Sequence, residues 1–349
     1  MGFENIVWEN AVTPEIRSID NGWRRWIAEN LLLDAPPPAV HGALVGHGFD
    51  PAEAVREIEA ALASPYFEGA VRLRNRLRKR EWILSVYGTL NRMRAGSGVT
   101  ERRERLSRDE FFEQYYFQNR PVIITGAFDF WPARTQWNFD YFRERCGDCE
   151  VEVQFGRESD ANYEVNQPKL KRMMRFADYV DLVERSGPTN DFYMTANNTS
   201  HNRAALAALW SDVPAIGEYL DAGSPDTGFF WMGPAGTKTP FHHDLTNNFM
   251  AQVIGRKQIK LVPLSDTPHM ANTLHCFSQV DGGAIDYERF PSMRHAHLME
   301  CTLEPGELLF LPIGWWHYVE GLDASVTMTF TNFLQRNDFS RDYVTYHEL

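Results

Sequence analysis

Apolar residues recur with a helical period in the first hundred residues of the chain. In PAEAVREIEAALAS, residues 51–64, they return every three or four positions, the spacing of one face of an α-helix. Asp50 and Pro51 suit the N-cap and first turn of that helix. An earlier helix, WRRWIAENLLL, should end before the prolines at 36–38. The pattern predicts a largely helical region over residues 14–95.

The segment PYFEGAVRLRNRLRKREWILSVYGTLNRM continues the helical pattern as one long amphipathic helix. The buried positions that it predicts are Leu73, Leu77, Leu84 and Tyr87. Its basic run, residues 72–80, is either a solvated helix face or a surface for an acidic partner. Residues 95–100, AGSGVT, have the composition of a linker. We therefore predict an α-helical N-terminal domain over residues 1–100, which serves substrate recognition or dimerisation.

Short β-type runs separated by turn residues follow a short helix at 108–118. Such spacing predicts a barrel or a sandwich. The predicted strands are residues 121–124, 192–194, 229–232, 249–253, 259–262, 308–311 and 326–330. A second domain, mainly β with flanking helices, should therefore occupy residues 101–349.

Charge and cysteine content narrow the class of protein. The formal net charge of -12 argues against a general nucleic-acid binder, because phosphate binding needs clustered positive charge. We find no secretory signal and no apolar run long enough to span a membrane. Four cysteines in 349 residues give no disulfide framework, so a cytoplasmic location is expected.

The segment TPFHHDLTNN carries the strongest candidate chemistry. In an extended strand, residues two apart share a face, so His242 and Asp244 point together and His243 points away. His317, in PIGWWHYVEG, is the best third ligand. Two imidazoles and a carboxylate suit Fe(II) with open positions, and zinc would accept the same atoms. Taken alone, however, His242 fits a satisfied strand histidine equally well, and His317 fits a packing residue beside Trp315 and Trp316.

The segments TPFHHDLTNNFMAQVIGRKQIKLVPLSD and PGELLFLPIGWWHYVEGLDASVTMTFTNF together resemble the JmjC-type, cupin-like 2-oxoglutarate oxygenases. This family includes the asparaginyl hydroxylase that acts on hypoxia-inducible factor, and bacterial cupin-like relatives. The resemblance covers roughly residues 106–335 and leaves residues 1–100 unassigned. It implies a double-stranded β-helix, Fe(II) held by His242, Asp244 and His317, and O2-dependent oxidation of 2-oxoglutarate coupled to hydroxylation of a C–H bond.

The resemblance also implies residues of a cosubstrate pocket. Those it implies are Lys257, Thr239, Tyr193, Asn248 and Asn332. A buried dicarboxylate needs a fixed cation, which Lys257 would supply. Lys260 is a rival that should point to the opposite face. Leu334 stands where the asparaginyl hydroxylase has a tryptophan, which we interpret as a changed wall of the site, so asparagine specificity does not carry over.

Several alternatives stay open on the sequence. The favoured substrate is an amino-acid side chain in a peptide or protein, ahead of a small molecule such as a free or carrier-bound amino acid, with nucleic acid third. A non-catalytic, metal-binding cupin-like protein is the rival class. The C-terminal segment RNDFSRDYVTYHEL could form a homodimer contact.

Two further sets of residues need an interpretation. Cys146 and Cys149 lack a second pair at zinc-finger spacing, so a structural role is preferred. The segment 265–297 has the length of a functional loop over the site. Its histidines are His269, His275, His295 and His297.

Overall fold

The computed structural model describes residues 18–196 and 199–347. Residues 14–17, the start of the predicted helical region, lie outside this part. The helices are α1 (Asn21–Leu32), α2 (Pro37–Gly46), α3 (Pro51–Leu62), α4 (Pro65–Met93), α5 (Arg108–Phe111), α6 (Ala133–Gln136), α7 (Phe139–Cys146), α8 (Gln167–Leu170), α9 (Phe176–Arg185) and α10 (Thr199–Ala205). Among the described residues, none of these helices has both the length and the apolar character that a membrane crossing requires.

The first compact unit of the chain ends at Leu84 and is helical. Its core lies among α1, α2 and α3 and includes Ile27, Leu44 and Ile58. Helix α3 begins as its sequence predicts, because the Asp50 carboxylate accepts a hydrogen bond of 2.8 Å from the backbone N–H of Glu53.

Helix α4 departs from the prediction in its burial. Leu73, Leu77 and Tyr87 are 59%, 56% and 65% exposed, so their predicted burial is wrong. Gly88 is the one buried residue of this helix. Apolar periodicity indicates which residues share a face, but it does not indicate whether another element covers that face. The domain division at residue 100 stays a prediction.

The second compact unit, from Ser85 onward, is built on β-sheets. Its strands are β1 (Glu101–Glu104), β2 (Val122–Thr125), β3 (Glu150–Phe155), β4 (Lys171–Arg175), β5 (Phe192–Tyr193), β6 (Phe229–Gly233), β7 (Lys238–His243), β8 (Asn248–Ile254), β9 (Lys257–Val262), β10 (Asn272–Leu274), β11 (Phe277–Ser278), β12 (Met299–Leu303), β13 (Glu307–Leu311), β14 (Trp316–Gly321) and β15 (Ser325–Phe330). One six-stranded sheet has the order β1-β2-β13-β8-β15-β6, and the other has the order β10-β11-β7-β14-β9-β12. A three-stranded sheet, β4-β3-β5, completes the unit.

The two six-stranded sheets form the double-stranded β-helix, so the predicted fold class is confirmed. Strands that follow one another in the chain alternate between the two sheets, as β6 to β9 and β12 to β15 show. The apolar core lies on the sheet faces and under the helices, where Phe111, Phe249 and Phe310 are all fully buried. This frame places the ends of β7 and β14 side by side.

Phe111 should be a main contributor to the stability of this unit. Its ring lies 4.7 Å from that of Tyr219, 5.0 Å from that of Phe310 and 5.2 Å from that of Phe249, measured between centroids. We expect Phe111→Ala to lower the free energy of unfolding by about 3–5 kcal/mol, as measured by urea denaturation. Phe117, 53% exposed in the same segment, is the control, and Phe117→Ala should cost less than about 1 kcal/mol. Equal losses would contradict this assignment.

Candidate metal centre and cosubstrate pocket

Two histidines face each other on neighbouring strands. Strands β7 and β14 pair antiparallel, and His242 is directly opposite His317 in the register. Directly opposed residues project their side chains from the same face of a sheet. The two imidazole centroids are accordingly 4.1 Å apart.

Asp244 completes the group from the end of β7. Its Oδ1 lies 3.8 Å from Nε2 of His242, and its Oδ2 lies 4.0 Å from Nε2 of His317. The three candidate ligand atoms lie within 4.8 Å of one another. The carboxylate–imidazole distances exceed hydrogen-bond length, so these three side chains converge without bonding one another.

The orientation of both imidazoles is fixed by the backbone. Nδ1 of His242 is 2.9 Å from the carbonyl oxygen of Pro240, and Nδ1 of His317 is 3.0 Å from that of Trp315. A carbonyl oxygen can only accept, so each Nδ1 must carry the proton. Each ring therefore directs its Nε2 toward Asp244, which is the usual arrangement of metal-binding histidines.

The protonation states also suit a cation. Burial lowers the pKa of His317, and the neighbouring His242 adds to that effect, so the ring is neutral at neutral pH. Burial raises the pKa of Asp244, but His317, His242 and the amide of Asn248 outweigh it, and the pKa is lowered. Two neutral imidazoles and one carboxylate form the donor set that Fe(II) accepts in oxygenases, so these residues fit the predicted ion.

His243 is placed apart from this group. Its ring packs edge-on against Trp316, with centroids 4.8 Å apart. It lies on the opposite face of β7 from His242, as strand alternation requires.

A cavity of about 350 Å³ opens onto the three side chains. Four of the five residues that the resemblance implies for the cosubstrate line it, namely Lys257, Thr239, Tyr193 and Asn248. This volume is at the small end of the range for ligand pockets. The structure therefore brings most of the predicted pocket together beside the candidate metal ligands.

Lys257 is the one lysine or arginine among the described residues that line this cavity. It is 2% exposed, and its ammonium donates a 3.0 Å hydrogen bond to the hydroxyl oxygen of Tyr193. Burial lowers the pKa of Lys257 to about 7, and no described residue forms an ion pair with it. A buried ammonium without a counterion is costly, so an anionic ligand would stabilise it.

Lys260, the rival cation, faces elsewhere. Its ammonium lies 3.6 Å from a carboxylate oxygen of Glu300 on the adjacent strand β12. It does not line the cavity. The odd spacing of three residues along β9 puts Lys257 and Lys260 on opposite faces of the strand.

Asn248 and Asn332 have different environments. The Asn248 amide donates to Oδ2 of Asp244 at 3.2 Å, while its Oδ1 is buried without a partner among the described residues. Asn332, in contrast, does not line the cavity, and its amide donates to the carbonyl oxygen of Asp221 at 2.9 Å. The structure does not bring Asn332 to this cavity, and its role in cosubstrate binding stays a prediction. Asn332 is at an even position, whereas the residues of this segment that line the cavity are at odd positions, namely Thr327, Thr329 and Thr331.

Leu334 also lies away from the cavity. It is 39% exposed, and its backbone N–H donates to the carbonyl oxygen of Tyr219 at 2.9 Å. Our interpretation of Leu334 as an altered wall of the site is therefore wrong.

Several lining residues were not predicted. The three threonines of SVTMTFTNF recur every second residue, a signal that strand alternation could have revealed. The indole N–H of Trp231 donates to the hydroxyl of Thr329 at 2.9 Å. Glu164 also lines the cavity, and its carboxylate lies 3.1 Å from the guanidinium of the fully buried Arg157. Nothing in the sequence pattern indicates this ion pair.

The long segment 265–297 makes a limited contribution to the cavity. His275, Cys276 and Phe277 line the cavity. The rings of His269 and His295 lie 5.9 Å apart, and His297 contacts the carbonyl oxygen of Ser97.

The remaining cysteine pair forms no disulfide. Cys146 and Cys149 are free thiols. Cys146 is the last residue of α7, and the backbone N–H of Cys149 donates to its carbonyl oxygen at 2.9 Å.

The fold and the two-histidine, one-carboxylate group define a cupin-type metalloprotein. Residues 108–338 match the model of the cupin-like domain, and the chain belongs to that family. The predicted resemblance to JmjC-type cupin-like oxygenases is confirmed, and the cofactors of that family are Fe(II), 2-oxoglutarate and O2.

Three curated relatives illustrate the similarity. "Lysine-specific demethylase JMJ30" of Arabidopsis thaliana is 35% identical over 239 residues, 66% of this chain and 54% of the relative. "Lysine-specific demethylase 8" of Xenopus tropicalis is 31% identical over 239 residues, 64% of this chain and 50% of the relative. The human "Bifunctional peptidase and (3S)-lysyl hydroxylase JMJD7" is 28% identical over 251 residues, 63% of this chain and 79% of the relative. The chain thus spans about half the length of the first two.

Proposed function

We propose that this protein is an Fe(II)- and 2-oxoglutarate-dependent oxygenase that hydroxylates a C–H bond of an amino-acid side chain in a peptide or protein. The observation that carries the proposal is the pairing of two sites in one cavity. His242, Asp244 and His317 offer a metal donor set, and Lys257 offers a buried ammonium without a counterion. 2-Oxoglutarate has a keto acid for the first site and a second carboxylate for the other.

Three side chains of the cavity would bind the far carboxylate of 2-oxoglutarate. Lys257 donates to the far carboxylate of 2-oxoglutarate, and the hydroxyl of Tyr193, which accepts from Lys257, keeps its own proton to donate to the same group. Burial raises the pKa of Tyr193, so this hydroxyl stays protonated at neutral pH. Thr239 adds a further hydroxyl from β7.

The metal ligands are held in place by their own contacts. His242 and His317 present Nε2, because each Nδ1 donates to a backbone carbonyl. The Asn248 amide fixes one oxygen of Asp244 and leaves the other free. Fe(II) bound there would supply the centre at which O2 oxidises 2-oxoglutarate to succinate and CO2 and delivers one oxygen atom to the substrate.

The names of the relatives support a peptide substrate. Two are named as lysine-specific demethylases and one as a lysyl hydroxylase, so each name refers to an amino-acid residue. Hydroxylation of an N-methyl carbon and hydroxylation of a side-chain carbon use the same C–H chemistry. A peptide library containing both kinds of carbon is therefore the right probe.

The experiment is to supply Fe(II), 2-oxoglutarate and O2 together with such a library. We expect iron-dependent succinate formation and a mass gain of one oxygen on a peptide, or release of formaldehyde from an N-methylated one. Oxygen incorporation only into free or carrier-bound amino acids would overturn the peptide assignment. Iron binding without any consumption of 2-oxoglutarate would instead indicate the non-catalytic alternative.

A further inference from the structure

A second cavity, of about 330 Å³, lies in the same compact unit outside the site described above. It is bounded by the turn that follows α4 and by the starts of β1, β2 and β12. Its charged side chains are Arg94, Arg120 and Glu101. Its apolar side chains include Val99, Met299 and Trp315. The cavity therefore combines two guanidinium groups with an apolar wall.

Positive charge is in excess around this cavity. Glu101 is its single acidic lining residue, and that carboxylate already has two partners. Arg120 lies 3.2 Å from one of its oxygens, and Arg103 lies 3.3 Å from the other. Arg94 forms no ion pair with any described residue. Arg103 also lies 3.7 Å from Glu110, so within the lining one carboxylate faces the two guanidinium groups of Arg94 and Arg120.

Both lining arginines have unmet capacity to donate hydrogen bonds. Nε of Arg120 is buried and has no hydrogen-bond partner in the described part of the chain. Burial lowers the pKa of Arg94, and the nearby charge of Arg120 lowers it further. Both guanidinium groups line the same cavity, so an anion between them would offset their mutual repulsion.

The turn that carries Arg94 is held in place. Ser97 accepts a 2.9 Å hydrogen bond at its carbonyl oxygen from Nε2 of His297, and the backbone N–H of His297 donates to the carboxylate of Asp266 at 2.7 Å. That carboxylate also lies 3.3 Å from Arg92. This network, which includes a histidine with no role in the metal site, makes the cavity a built feature.

The cavity also adjoins the metal ligands through the backbone. Trp315, whose side chain lines it, accepts the Nδ1 proton of His317 at its carbonyl oxygen. The Trp315 indole N–H is already used, since it donates to the side-chain oxygen of Asn119 at 2.9 Å. The indole N–H is therefore not available to a ligand, and the ring, 4% exposed, lies at the buried end of the cavity lining.

We propose that this cavity binds a small organic carboxylate, whose carboxylate group lies between Arg94 and Arg120 and whose apolar body lies against Trp315 and Met299. Planar guanidinium groups match carboxylates in geometry and charge. A purely inorganic anion would leave the apolar wall unused. An uncharged apolar ligand would leave the two guanidinium groups unpaired.

Phenylacetate is the probe, titrated by calorimetry into the full-length protein whose main cavity is already saturated with 2-oxoglutarate and Zn²⁺. We expect one binding site, with affinity at least about 10-fold weaker for phenylacetamide, which has the same shape without the charge. Inorganic phosphate should bind more weakly than phenylacetate. Equal binding of the amide, or absence of any phenylacetate binding, would overturn the proposal.

Two substitutions locate the site. Arg94→Gln should weaken phenylacetate binding at least about 10-fold while leaving the affinity for 2-oxoglutarate unchanged, because Arg94 holds no other described side chain. Arg120→Lys keeps a cation near Glu101 but loses the planar guanidinium, so it should also weaken phenylacetate binding, and unchanged binding would count against the proposal. Lys260→Met, which lines neither cavity, should leave phenylacetate binding unchanged. Full phenylacetate affinity in Arg94→Gln would contradict the proposal.

Discussion

Replacing His242 with alanine should remove Fe(II) binding and reduce 2-oxoglutarate consumption at least about 100-fold. Loss of a residue that merely orients a metal ligand already costs about 10- to 100-fold in metal affinity or activity, and His242 would be a ligand itself. Its Nε2 has no other described acceptor or donor within hydrogen-bond distance, so the folded state should tolerate the change. Metal content after dialysis against Fe(II) and a succinate assay measure the two effects.

The neighbouring residue gives a matched control. His243→Ala removes the same chemical group one position along β7, on the face that packs against Trp316. It should lose some packing energy but keep bound iron and turnover. If both variants lost iron equally, or if His242→Ala retained it, the placement of His242 on the metal-facing side of β7 would be wrong.

Replacing Lys257 with methionine should raise the dissociation constant of 2-oxoglutarate about 10- to 100-fold. A hydrogen bond between two charged groups contributes about 1.5–3 kcal/mol, and the fully buried position of Lys257 favours the upper part of that range. Lys260→Met on the same strand is the control, because Lys260 pairs with Glu300 and lies outside the cavity. Calorimetric titration of the Zn²⁺-loaded protein separates binding from turnover.

The same lysine predicts a pH dependence with a definite sign. Burial lowers the pKa of Lys257 to about 7 in the free protein, whereas a bound carboxylate favours the charged form and raises that pKa. Binding therefore takes up a proton above pH 7, and the affinity for 2-oxoglutarate should fall as the pH rises from about 7 to 9, by up to about 10-fold per unit. Lys257→Met should bind weakly with no such slope. A steep slope in that variant would assign the proton to another group.

Strand alternation predicted much of the candidate site from the sequence. It separates His242 from His243 and Lys257 from Lys260, because the side-chain period of a strand is two residues. Over residues 325–332 the same alternation puts the threonines at odd positions on the cavity face, and Asn332 does not line the cavity. The two-residue period predicts the face of a side chain only within a regular strand.

Other features depend on contacts that a local pattern does not contain. Arg157 and Glu164 form an ion pair seven residues apart, and no residue period in the sequence indicates that pair. The exposure of Leu73 and Leu77 depends on which elements cover α4. The antiparallel register that sets His317 opposite His242 likewise comes from the closure of the barrel, across 75 residues of chain.

The backbone hydrogen bonds of the two imidazoles have a consequence for competition among metal ions. Because the carbonyl oxygens of Pro240 and Trp315 hold both rings, an incoming ion meets donors that are already oriented. Such a preorganised set follows the general order of affinity, in which Zn²⁺ and Cu²⁺ bind more tightly than Fe²⁺. Occupancy by iron should then depend on the supply of each ion at the time of loading. Exchange for a tighter-binding ion would then abolish the proposed oxygenase activity without unfolding the protein.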